Sequence, residues 1–128
     1  MINEQEKKLV GKFVIKTKQE RYLTFLSKEN ARQKFTGKLY HFQDFDWRLF
    51  REVSGNENVR ETIAAEVGKR KISTCYVISV ATEYDGKFVY IDEAIEEVIG
   101  IEGSILVSGY AEVVYYQGEA PSRRYITL

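Results

Sequence analysis

The spacing of apolar positions changes near residue 72. Before it, the spacing is helical. Gly11, Val14, Ile15, Lys18, Tyr22, Phe25 and Leu26 fall on one stripe at i, i+3, i+4, i+7, i+11, i+14 and i+15, which predicts a helix across 8–26. The β-branched run Phe13-Val14-Ile15 favours a strand on propensity, so a hairpin of 9–16 with 21–26 stands as the alternative. Its turn, Thr17-Lys18-Gln19-Glu20, lacks the Gly, Asn, Asp or Pro that hairpin turns use. Ser27 is expected to cap a second helix carrying Ala31, Phe35, Leu39 and Phe42 inward, with Gly37 marking an early end or a close contact. Trp47, Phe50 and Val53 predict a shorter helical piece over 46–53. Asn56 is expected to cap a helix over 57–67, with Val59, Ile63 and Val67 inward and Gly68 as its stop.

After residue 72, β-branched and apolar residues occupy both faces of Ile72–Ala81, as in a central strand covered on both sides. Tyr84-Asp85-Gly86-Lys87 is a turn signal. Asp92 is placed to cap a short helix with Ala94, Ile95, Val98 and Ile99 inward and Glu93, Glu96 and Glu97 outward, stopped by Gly100. Apolar runs at 104–108, 110–117 and 123–128 read as an antiparallel meander. A strand at 73–81, a helix at 92–99 and a strand at 104–108 would form a right-handed crossover of parallel strands. The predicted class is α+β, with a helical N-terminal half packed on a small mixed β-sheet from the C-terminal half.

At 128 residues, with no linker or repeat, the chain reads as one domain, 1–128. Its hydrophobic content of 44% is that of a folded core and excludes a disordered segment. The single Cys75 lies in the run Cys75-Tyr76-Val77-Ile78, where a buried inert thiol is expected, and it cannot form an internal disulfide. No stretch approaches the ~18–20 apolar residues of a membrane span. The opening residues lack the apolar core of a signal peptide. The expected setting is the cytoplasm, with no membrane partner.

Charge alters this picture more than composition does. Between Lys7 and Phe42 ten Lys/Arg face two acids, a local +8; between Glu83 and Glu119 nine acids face Lys87 alone, a local −8. The formal net charge of +0 conceals both blocks. Such sorting points to recognition through charged faces. The basic block includes Arg21, Arg32, Lys34 and Lys38, interleaved with Phe13, Tyr22, Phe25, Phe35 and Tyr40, so nucleic acid is the alternative partner. The overall pI of about 6.6 and the fit of those aromatics to the apolar stripes favour a protein partner or self-association instead.

Candidate chemistry is sparse. Tyr40-His41-Phe42-Gln43-Asp44-Phe45-Asp46-Trp47 places His41, Asp44 and Asp46 close in sequence, as a metal-dependent enzyme would need. The competing reading has Asp44 or Asp46 capping the helix near Trp47 and His41 closing the preceding one. No Gly-x-Ser-x-Gly elbow is present, and the glycines of Gly100–Ser104 lead into a strand rather than a helix. Arg123 and Arg124, after the Gly118–Ser122 loop, could bind an anion or form a local ion pair with Glu119. No catalytic residue, metal ligand set or cofactor is assigned.

Four segments together carry a resemblance: Lys18–Leu23, Leu39–Asp46, Cys75–Ser79, and Tyr115–Pro121 with Arg124-Tyr125-Ile126. In these the chain resembles a group of small bacterial proteins of uncharacterised function. The resemblance spans most of the chain, implies a single full-length domain and a bacterial source, and implies no activity.

Overall fold

Side-chain alternation in the C-terminal half builds a sheet that is buried on both faces. The computed structural model describes residues 3–119 and 123–128. Its sheet has six strands: β1 (Phe50–Glu52), β2 (Thr74–Ser79), β3 (Lys87–Tyr90), β4 (Ser104–Ser108), β5 (Val113–Gln117) and β6 (Arg124–Thr127). Their order is β1-β6-β5-β4-β2-β3, and every adjacent pair is antiparallel. The α+β class is therefore as expected, but the mixed sheet is not. In the sequence the turn signal ends at Lys87, and residues 88–90 are assigned to no element. Lys87–Tyr90 form β3, which reverses the chain before the helix, so the crossover starts from β3 and lands on β4 with β2 between them. No two neighbouring strands run parallel.

Alternate residues feed two cores. Tyr76, Ile78, Ile105, Val107, Val114 and Tyr116 project to one face, where they meet Leu9, Val10, Tyr22, Phe35, Phe42 and Phe45. Cys75, Val77, Leu106, Val113, Tyr115 and Ile126 project to the other, against Ile63, Val67, Ala94 and Val98. The first face is covered by α1 (Glu4–Phe13), α2 (Gln19–Ser27) and α3 (Arg32–Thr36); the second by α4 (Val59–Lys69) and α5 (Ile91–Glu93), which continues as one π-turn, Ala94–Val98.

The predicted helix over 8–26 is broken in two. Val14 leaves the helix with ψ 141, pairs with Phe45 in an isolated bridge, and is followed by Ile15, whose N–H donates to Asp44 O at 2.8 Å. The β-branched pair thus takes its extended preference at the break; after it Tyr22 and Leu26 keep the predicted stripe, whereas before it α1 buries Leu9, Val10 and Phe13 and leaves Gly11 exposed. Ser27 ends α2 rather than capping a helix; its Oγ donates to Thr24 O. The expected helix after it shrinks to α3 between two 3₁₀ turns. A Cβ on Gly37 would stand 2.9 Å from Gln33 O, which ties the end of α3 to a residue without one. The 46–53 piece is a single 3₁₀ turn, Trp47–Leu49, leading straight into β1. Asn58, not Asn56, caps α4, and the helix passes through Gly68 to stop at Arg70. Tyr90, not Asp92, occupies the cap position of α5, while Gly100 ends that segment with φ +105.

Candidate functional site

Two arrangements involve the charged residues singled out by sequence. The first is internal. Arg32, at the start of α3, donates through Nη1 to Glu6 Oε2 at 2.6 Å and through Nε and Nη2 to Asp85 at 2.7 and 3.0 Å. The Tyr76 hydroxyl donates to the same Glu6 oxygen at 2.7 Å, and Ser79 N–H donates to Asp85 Oδ1 at 3.0 Å. Glu6 is 2% exposed and serves in the capping box of α1 with Asn3. The network therefore locks α1, α3, β2 and the β2–β3 turn together. Burial acts against the Arg32 charge, but the hydrogen bonds to Asp85 and Glu6 outweigh it and raise the guanidinium pKa. Burial, then the bond to Glu6, pushes the Tyr76 hydroxyl up to about 12. Every Arg32 nitrogen is committed inward, so this residue does not join a phosphate-facing row. Each partner stands in a local sequence signal, Glu6 at capping-box spacing from Asn3 and Asp85 in the turn Tyr84–Lys87, but neither signal links it to Arg32.

The second arrangement is external. On α2 the Arg21 guanidinium lies over the Phe25 ring at 5.5 Å, and Lys34 of α3 approaches the same ring at 5.8 Å. Both cations are exposed and Phe25 is half-buried. Lys38 is exposed on the turn that follows α3. A separate hollow of about 560 Å³ lies between α1 and the Trp47 turn, lined in part by Lys12, Lys16, Gln19, Asp46 and Arg48. Sequence spacing found the cations here. It places Phe25 on the apolar stripe; the shared ring contact with Lys34 depends on how α2 packs against α3.

His41, Asp44 and Asp46 are each engaged separately. His41 Nε2 stands 2.6 Å from Glu119 Oε2 in an exposed pair. The Tyr22 hydroxyl donates to Asp44 Oδ2, and burial followed by this bond raises the Tyr22 pKa. Asp46 accepts from Arg48 N–H at the Trp47 turn and pairs with the Arg48 guanidinium, whose hydrogen bond lowers the Asp46 pKa. The capping reading of Asp46 thus describes what is seen. Among the described residues, no group of three or more His, Cys, Asp or Glu is placed to hold a metal ion.

Arg123 and Arg124 donate to backbone carbonyls, Phe42 O at 2.6 Å and Ser54 O at 3.0 Å. They brace β6 against the segments around Phe42 and Ser54, and Glu119 faces His41 instead. Residues 120–122 of that loop lie outside the described residues. The Cys75 thiol is buried as expected, and burial, then the Glu93 charge, pushes it up to about 12, so it is a poor nucleophile. The Ser104 hydroxyl lies 2.8 Å from that of Ser79 across the β2–β4 ladder.

No helix among the described residues is long and apolar enough to cross a membrane. No family model, curated protein or solved structure matches this chain.

Proposed function

We propose that this chain is an interaction protein whose basic helical layer docks an acidic protein surface, with Arg21, Phe25 and Lys34 at the centre of the contact. One observation carries the reading: the sheet stands between the two charged blocks. Lys7, Lys8, Lys12, Lys16, Arg21 and Lys34 are exposed on the α1–α3 side, and Glu93, Glu96 and Glu97 are exposed on the α5 side. The blocks touch at Arg32–Asp85 and His41–Glu119; Arg21 and Lys34 are exposed over the Phe25 ring, whereas Lys7 pairs with Glu4 and Lys12 Nζ donates to Ala111 O. A half-buried ring held between two cations offers apolar area at the middle of a positive field, the composition of an interface centre.

The test is fluorescence anisotropy with a labelled glutamate-rich peptide and, separately, a single-stranded oligonucleotide of equal charge, each across a salt series. The expected outcome is peptide binding that weakens with salt and falls by about tenfold or more in R21E/K34E, since like charge placed at a docking centre costs more than lost contact. Wild-type protein that ignores the peptide at low salt, or a variant that binds as well, rejects the reading. Binding of the oligonucleotide alone replaces the acidic protein surface with nucleic acid.

A further inference from the structure

β3 closes one end of the sheet, and among the described residues nothing pairs with its outer side. The direction of its free backbone groups follows from the ladder. Ile91 N–H donates to Ser73 O at 2.9 Å, so Ile91 and Ser73 form a hydrogen-bonded pair. Alternation then aims the peptide groups of Val89 at β2, and those of Phe88 and Tyr90 outward. These two residues also carry much of the exposed aromatic surface: Phe88 is 58% exposed and Tyr90 70%. Tyr110, 62% exposed, lines a small hollow with Phe88 and Thr74 on the flank of the same edge. Edge strands are normally blunted by Pro, a bulge or inward charge, and Phe88-Val89-Tyr90 has no Pro and no charged side chain.

We propose that β3 pairs antiparallel with β3 of a second copy, about a two-fold axis at Val89, so that two sheets become one. The edge is complementary to itself in that register. The axis sets Phe88 of each copy opposite Tyr90 of the other, giving two aromatic cross-strand pairs joined by the outward peptide groups. It also brings Lys87 at the start of each β3 next to Asp92 and Glu93, which follow the end of the other β3. A parallel pairing would set Lys87 against Lys87 and the acids against each other, so charge selects the two-fold arrangement. The pairing uses the β3 backbone with Phe88 and Tyr90, none of which belongs to the Arg21–Phe25–Lys34 cluster, so the variants that test the two readings do not overlap.

Sedimentation velocity over a concentration series tests it. Wild-type protein is expected to pass from one to two protomer masses as concentration rises, as a four-residue edge gives weak association. F88K/Y90K places lysine opposite lysine at both pairs and should weaken dimerisation by about tenfold or more. F88K/Y90E restores an opposite-charge pair in the same register and should dimerise more tightly than F88K/Y90K. Circular dichroism checks that each variant folds; both positions are exposed. A single protomer mass up to about 1 mM overturns the proposal. So does unchanged dimerisation in F88K/Y90K, or failure of F88K/Y90E to exceed it. An occupant other than a second copy would leave the wild type monomeric and fall under the first of these outcomes.

Discussion

Arg32 shows how one side chain can look like a surface cation in sequence and act as an internal strut. Its charge balances Glu6 and Asp85, and Glu6 has almost no access to water. Removing one partner of such a group leaves uncompensated buried charge, a loss larger than the net worth of the ion pair itself. Arg32→Met keeps much of the aliphatic bulk and strands both carboxylates. It is expected to cost roughly 3–5 kcal/mol in urea unfolding. Adding Glu6→Gln should recover part of that loss, because an amide tolerates the site without a counter-charge and can still accept from the Tyr76 hydroxyl. A single variant as stable as wild type would show that the Arg32 network adds nothing net to stability. By contrast, His41–Glu119 is an exposed pair worth about 0–1 kcal/mol at most, and His41→Ala should leave stability nearly unchanged.

At the scale of elements, the link between β1 and α4 depends on one carboxylate. Glu57 accepts from Arg51 at 2.8 and 3.0 Å, from the Thr62 hydroxyl at 2.6 Å and from Ser54 N–H at 3.3 Å. The Arg51 hydrogen bond first, then that of Thr62, holds its carboxyl down at about 2, against 4.5 for an ordinary glutamate. A depressed folded pKa contributes stability that is present above the unfolded value and lost as pH falls through the folded one. Wild type should therefore exceed Glu57→Gln in Tm at pH 6, with the gap closing between about pH 4.5 and 2. A gap that stays constant over this window would mean that Glu57 acts without its charge. The same level of structure marks what the sequence made legible. Val59, Ile63 and Val67 face the core because an amphipathic stripe depends only on local period. The strands at 104–108, 113–117 and 124–127 were visible for the same reason. Val14 and Ile15 left the helix because a distant segment, Asp44-Phe45-Asp46, offered backbone partners, which no local window contains. Lys87–Tyr90 was missed because its two outward residues are both aromatic and exposed, so the usual polar/apolar alternation of a half-buried strand is absent. The Arg21–Phe25–Lys34 cluster was half legible: the charges were plain, but their shared ring depends on how α2 packs against α3.

Across the whole molecule, the decisive quantity is the distance between opposite charges relative to screening. The exposed basic layer and the turn carrying Glu93, Glu96 and Glu97 lie on opposite faces of the sheet, and layers pack about 10 Å from a sheet on each side, so apart from the contacts Arg32–Asp85 and His41–Glu119 these charges stand about 20 Å apart. The Debye length at 0.1 M salt is about 10 Å, so through solvent the two fields barely cancel and each is felt separately by whatever approaches its face. A chain of formal net charge +0 would ordinarily be weakly held by any ion exchanger near neutral pH. Separated faces predict otherwise: at pH 7 and low salt the protein should be retained by both a cation and an anion exchanger, each contact using one side. R21E/K34E should shorten retention on the cation exchanger and lengthen it on the anion exchanger, while Glu96→Gln with Glu97→Gln should do the opposite. Passage through both columns without delay would mean that the blocks neutralise one another at close range, as Arg32 and Asp85 do locally, and would remove the electrostatic basis for docking.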